Sequence, residues 1–163
     1  MARILSIANK LLSIRGQMDI VDEQGHQVYE AKGELALLSP TWRVSGGGTE
    51  LARIRKKIFC LVPTWEVEGM GGDFHVKRKI FSWTRKYYVV GSDLHGTVIK
   101  GGLFDLNFEI LKDQHTIARA SGKILSLRDR HNVEILGKEE LFVVIAMVIL
   151  HLDRKDERSS NND

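Results

Sequence analysis

The stretch "KEELFVVIAMVILHLDRKDE", residues 138–157, carries ten apolar residues without a break, Leu141 to Leu150, between two charged flanks. A transmembrane helix needs ~20 mostly apolar residues, and Leu141 to Leu152 supplies only twelve, with His151 among them. The length fits a helix buried in protein, and a helix apolar on every side is one covered on every side. At ~1.5 Å per residue those residues span roughly 18 Å, the length of a strand of about five or six residues. Such a helix needs a wall around it, and the rest of the chain has to provide it.

The rest of the chain is a repeat. The stretches around its two prolines nearly coincide, "SPTWRV" at 39–44 and "VPTWEV" at 62–67. A bulky residue, any residue, then Val or Ile recurs at Met18/Ile20, Trp42/Val44, Trp65/Val67, Tyr87/Val89 and Phe108/Ile110, and at His131/Val133 with His as the first member; the steps are 24, 23, 22, 21 and 23 residues. A second element precedes several of these pairs: "KLLSI" at 10–14, "KIFCL" at 57–61, "KIFSW" at 79–83 and "KILSL" at 123–127. Residues 42–68 overlay 108–134 without a gap, with identities that include Ala52/Ala118, Arg53/Arg119, Lys57/Lys123 and Val67/Val133. Recurrence at a fixed period marks one supersecondary unit used several times.

Each unit is a hairpin. Large and polar residues alternate from Trp65 to Gly69, "GMGGD" offers residues that tolerate positive φ, and "DFHVKRKIF" largely alternates again, the pattern of strand, tight turn, strand. The corresponding turns read "DEQGH", "SGGG", "SDLHG" and "KDQH". First strands are expected near 17–22, 41–45, 64–69, 86–91, 106–112 and 130–136, and second strands near 3–12, 26–32, 50–59, 73–81, 96–102 and 115–124. Twelve strands in an open sheet would leave two aggregation-prone edges, so the expected fold is mainly β, a closed twelve-stranded antiparallel β-barrel of about six hairpin repeats. Beyond about eight strands the wall no longer fills its own interior. The central hydrophobic C-terminal α-helix, about 138–152, is the filling, and 153–163 is expected as a polar disordered tail.

Composition agrees with one globular domain: 163 residues, 43% hydrophobic and 28% charged. The N-terminal "MARILSIANKLLSIR" is basic, but Asn9 and Lys10 interrupt its apolar run too early for a secretory signal. A single cysteine, Cys60, forms no intramolecular disulfide and fits a reducing compartment, so the expectation is a cytoplasmic protein, peripheral at most to a membrane, with no transmembrane span.

The order "KLLSIRGQMDIVDEQGHQVYEAKGEL", "LARIRKKI", "KYYVVGS" and the terminal "LFVVIAMVIL" resembles the LURP-one-related family, of the Tubby C-terminal-like superfamily that also holds the phospholipid scramblases. The resemblance runs from about Arg3 to Leu152. It implies a twelve-stranded barrel around a central hydrophobic helix, in agreement with the strand count, and little about activity. Tubby relatives bind phosphoinositide headgroups and scramblases act on phospholipids. The chain shows no acidic calcium-ligand loop, so calcium-dependent scrambling is not implied.

Residues that carry chemistry are sparse. Cys60 occupies the position of Ser13, Ser82 and Ser126 in other units, which reads as a small side chain required by the repeat. The six histidines show no pair at metal-ligand spacing; His26, His95 and His115 sit in hairpin turns. "GMGGD" and "SGGG" lead into strands, where a phosphate cradle needs a helix N-terminus. Glu139 and Glu140 complement the helix dipole at its start. No catalytic residue, metal site or cofactor is indicated, and the expectation is a protein that is not an enzyme.

Charge is the one local asymmetry. Residues 53–86 hold nine basic against three acidic residues, net +6, within a chain of net +3. Alternation sends Ala52, Ile54 and Ile58 inward with Arg53, Arg55 and Lys57 outward, and Phe74, Val76 and Ile80 inward with His75, Lys77 and Lys79 outward. Lys56 and Arg78 break the alternation at matching positions, which suggests a bulge or a barrel rim. Arg53, Arg55, Lys57, Lys77 and Lys79 are therefore the candidate site for an anion or lipid headgroup, on a binding or scaffold module whose partner is an anionic phospholipid surface. The alternatives are a protein-interaction or structural module without a lipid ligand, and an orphan enzyme acting at the barrel mouth. Nucleic acid is disfavoured, because a sheet that reads it interleaves aromatics with its cations, whereas Trp42, Trp65, Phe74, Phe81 and Trp83 fall largely in the inward or junction phase.

Overall fold

The computed structural model describes residues 2–9, 16–34, 39–102, 107–120 and 131–161. They form β1 (Arg3–Asn9), β2 (Gln17–Val21), β3 (Gln27–Glu34), β4 (Thr41–Gly46), β5 (Thr49–Lys57), β6 (Thr64–Gly69), β7 (Phe74–Arg78), β8 (Lys86–Val90), β9 (Val98–Gly102), β10 (Asn107–Lys112), β11 (His115–Ala120), β12 (His131–Ile135) and α1 (Glu140–Ser160). Every strand pairs antiparallel with its neighbours in sequence, and β1 closes the sheet onto β12 in a register running from Arg3↔Ile135 to Ile7↔His131. The fold is the closed twelve-stranded barrel that the repeat demands.

The recurring pairs are its lining. Met18, Ile20, Trp42, Val44, Trp65, Val67, Tyr87, Val89, Phe108, Ile110 and Val133 are all buried on the even-numbered strands. Leu5, Ala52, Ile54, Phe74, Val76 and Ile99 line the odd-numbered ones. At one end the hairpins turn tightly. Gly47 and Gly48, with φ of +58° and +81°, join β4 to β5 in a two-residue turn whose left-handed backbone matches the strand twist. Register shifts follow the lining pair at Ile20/Val21, Val44/Ser45 and Ile110/Leu111, the same place in three repeats.

Helix α1 enters through the tight-turn end. Phe142 to Leu150 are buried without exception, on all sides of the helix, so the wall encloses it. Phe142 meets Phe74 edge-on with ring centroids 5.7 Å apart. Burying a Val, Leu, Ile or Phe side chain stabilises by roughly 1.5–3 kcal/mol each, which makes this plug and its lining one shared core.

Three expectations are corrected. The segment 153–163, read as a disordered tail, is helical to Ser160, because its carboxylates find cations on the wall. Ile58 and Ile80 are not lining residues; each is 49% exposed. Strands β5 and β7 end at Lys57 and Arg78, so the next position in the inward phase lies past the rim. Phe81 and Trp83 are exposed in the β7–β8 loop, outside the barrel.

Candidate functional site

The end from which α1 emerges carries the β5–β6 and β7–β8 connections, residues 58–63 and 79–85. Lys57, Thr64 and Lys77 lie in one row across β5, β6 and β7, and Arg78 is opposite Tyr87 on β8. The β5–β6 and β7–β8 loops therefore leave the barrel side by side. Lys56 and Arg78 continue the inward phase of Ala52, Ile54 and of Phe74, Val76, and at the rim that phase points at the emerging helix. The interruption of alternation seen in the sequence is this rim.

Here the wall cations meet the helix carboxylates. Arg78 donates to Asp153 Oδ2 at 3.0 Å and to Glu157 Oε1 at 2.6 Å, the Tyr87 hydroxyl donates to Asp153 Oδ2 at 2.6 Å, Arg85 pairs with Glu157, and Lys56 pairs with Asp156. Lys56 Nζ also stands 6.0 Å from the centroid of the Trp65 ring. Asp153 is 2% exposed, and a carboxylate so placed needs these donors to be tolerated. Burial alone would push the Arg78 guanidinium down, but the Asp153 and Glu157 carboxylates outweigh it and hold Arg78 above its ordinary value. Burial and the Asp153 charge both drive the Tyr87 hydroxyl far above the usual phenol range. This inner ring is charge-satisfied. The open cleft of about 560 Å³ above it is lined by Lys56, Arg78, Asp153, Asp156 and Glu157 among others.

The five candidate cations lie outside that ring. Arg53 is half-buried on β5 and donates to Glu50 Oε1 at 3.0 Å, with Arg43 and Glu68 opposite it on the flanking strands. Lys57 Nζ is 3.8 Å from Glu66 Oε1, an oxygen that His75 Nε2 approaches at 3.4 Å. Among the described residues no ion pair engages Arg55, Lys77 or Lys79. Glu66 also stands opposite Arg55 in the register, so carboxylates accompany β5 as far as Lys57, and the cations with no acidic neighbour across the strands gather at Lys77 and Lys79, where Lys86 on β8 adds another. Lys79 sits one residue past β7 and donates its backbone N–H to Lys86 O at 2.8 Å.

Sequence reasoning missed the loop tips. Phe59 and Leu61 are 98% exposed, Phe81 92%, and Trp83 wholly so. They belong to "KIFCL" and "KIFSW", so the repeated element is not a lining motif but a pair of matching loops; its other occurrences, 10–14 and 123–127, lie outside the described residues. Cys60, read as a small residue required by geometry, is exposed within the first of them. The available signal was the absence of any Asp or Glu from Leu51 to Trp65 and from Phe74 to Ser92.

Among the described residues no group of three or more His, Cys, Asp or Glu could hold a metal ion, and no helix is long and apolar enough to cross a membrane. A family model described as LURP-one-related matches residues 3–152. The chain belongs to the LURP-one-related family. No curated protein and no solved structure matches it. The LURP-one-related match runs from the start of β1 to Leu152, the last apolar residue of the plug, and so covers the barrel and its filling. The carboxylates of the exit ring begin at the next residue, Asp153, beyond the matched part.

Proposed function

We propose that this LURP-one-related barrel is a non-enzymatic binding module, cytoplasmic and peripheral to membranes, whose ligand is the headgroup layer of anionic phospholipids. The observation that carries it is that the strip cations Arg55, Lys77 and Lys79 are held in no ion pair among the described residues, on a face where the neighbouring Arg53 and Lys57 are. A surface serving solubility alone has no reason to collect its unpaired cations at one end of one face. Arg53 and Lys57 form the shoulder of the strip, partly neutralised by Glu50 and Glu66. The non-catalytic reading is supported by the use of space: the helix fills the interior, and the charged groups at the mouth are spent on holding it.

Each basic residue near an anionic surface is worth roughly 1 kcal/mol, and the Debye length of ~8 Å near 0.15 M salt screens exposed charges. Co-sedimentation with vesicles containing phosphatidylserine or a phosphoinositide is expected to show binding that weakens as salt rises. Arg55→Glu combined with Lys77→Glu should lower the affinity by about thirtyfold or more, with the melting temperature nearly unchanged. Absence of salt-sensitive binding to any acidic vesicle, or equal binding by the double variant, would make a protein-interaction module the leading reading.

A further inference from the structure

Six of the nine exposed large hydrophobic residues among the described residues sit in two adjacent loops: Ile58, Phe59 and Leu61, then Ile80, Phe81 and Trp83. Monomeric proteins scatter such residues singly and concentrate them only where something covers them. Barrel closure does not explain them. Two residues suffice to join β4 to β5, whereas these connections run through 58–63 and 79–85. Nor do they serve the core, which is complete below the Lys56 and Arg78 rim.

The charges around the tips decide what covers them. Neither loop contains a carboxylate. The α1 carboxylates Asp153, Asp156 and Glu157 are taken up by the inward cations Arg78, Lys56 and Arg85, Glu34 at the end of β3 pairs with Arg43, and Glu66 on β6 lies 3.8 Å from Lys57. Lys77, Lys79 and Lys86, with no ion pair among the described residues, stand at the loop bases on the outside beside the partly neutralised Lys57. An open groove of about 580 Å³ between Val62, Ile80, Phe81, Tyr88 and Val98, edged by Lys79 and Lys86, continues the apolar surface down the wall. Apolar tips with a basic collar one or two residues behind them match the layering of an acidic bilayer, where Trp and Phe settle at the boundary of acyl chains and headgroups and lysines meet the phosphates.

We infer that the barrel docks end-on, with Phe59, Leu61, Phe81 and Trp83 entering the interfacial layer of an acidic phospholipid bilayer and Lys57, Lys77, Lys79 and Lys86 at headgroup level. This rests on the lipid reading above and adds the depth and orientation of docking.

Trp83 reports on it directly, since the other two tryptophans, Trp42 and Trp65, are buried in the wall. Full-length protein is titrated with vesicles of phosphatidylcholine alone and with phosphatidylserine added, some carrying brominated acyl chains. Expected are a blue shift of Trp83 emission, quenching by the bromine, and an affinity lower by about tenfold or more in Phe81→Ala/Trp83→Ala. That variant should melt like the wild type, because both altered side chains are almost wholly exposed. Salt-sensitive binding without a change at Trp83, or undiminished binding of the double variant, overturns insertion and leaves the headgroup reading standing. Equal, quenched binding to neutral vesicles overturns the headgroup reading and, with it, docking on an acidic surface, leaving only the apolar insertion of the tips. No binding to either vesicle overturns both. A dimer in sedimentation that shields Trp83 from iodide and is lost in the double variant overturns insertion in favour of a second copy of the chain.

Discussion

The two mouths of the barrel anchor the same helix with the same chemistry, and they differ in what lies beyond the anchor. Where α1 enters, Glu139 accepts from Lys112 at 3.1 Å, and Glu140 accepts from Arg3 at 3.0 Å and from the Tyr29 hydroxyl at 2.7 Å. Where it leaves, Asp153, Asp156 and Glu157 take Arg78, Tyr87, Lys56 and Arg85. The entry carboxylates also suit the positive end of the helix dipole, while Glu157 in the last turn opposes it and depends on the wall cations. The Arg3–Glu140 pair has side chains 47% and 22% exposed, against 25% and 3% for Arg78–Asp153. Among the described residues, glycine-containing turns lie beyond the entry, and two aromatic loops with a cationic base lie beyond the exit. One mouth ends the fold; the other presents a surface.

The largest expected loss comes from between the mouths. Ile145 is 2% exposed in the middle of the plug, and Ile145→Asp would bury an unpaired charge at a cost of several kcal/mol. The expected result is failure to fold into a soluble, cooperatively melting protein; a variant that melts cooperatively near the wild-type temperature would contradict a helix enclosed on all sides. Next comes the exit ring. Asp153→Ala leaves the buried Tyr87 hydroxyl without its acceptor and Arg78 with Glu157 as its one carboxylate, and a buried donor left without its partner costs roughly 1–3 kcal/mol. Glu140→Gln at the entry removes a partly solvated pair worth about 1 kcal/mol or less. Urea denaturation of both variants should show the inequality, and equal losses would mean that the two anchors do not differ in kind.

How much of this was legible depended on whether a residue obeyed the repeat or its end. Trp65 and Val67, or Tyr87 and Val89, are lining residues because strand alternation against a common core is a local rule, visible from spacing alone. Ile58 and Ile80 follow the same parity yet lie past the last rung, and parity does not say where a strand stops. Lys56 and Arg78 announced the rim by being charged in the inward phase. Their partners stayed hidden, because Asp153, Asp156 and Glu157 read as a polar tail unless their spacing of three and four is matched to a helix that continues. The loop tips were the hardest to place. "KIFCL" and "KIFSW" look like strand continuations, and only the register across β5, β6 and β7 shows them leaving the sheet together.

The smallest expected effect belongs to the entry and appears as a pH dependence. Burial first, and then the Glu140 carboxylate that its hydroxyl donates to, push Tyr29 from the ordinary phenol value of 10.0 up to about 12. The folded chain thus holds this proton more tightly than the unfolded chain does. The resulting stability is fully present below pH 10 and is lost as pH rises from there toward about 12. Tyr87, raised further, adds a loss of the same sign. Glu139 acts oppositely. Burial raises it, but the Lys112 hydrogen bond and neighbouring charge prevail and lower it, so its contribution is present above the ordinary carboxylate value and is lost only as pH falls through the lower folded one. Since Tyr29 is partly open to water, its share is about 1 kcal/mol or less. Thermal melts of wild type and Tyr29→Phe should differ slightly at neutral pH and converge above pH 10, as the wild type loses what the variant never had. A gap that stays constant through that window would show that the Tyr29–Glu140 hydrogen bond does not couple the entry mouth to pH.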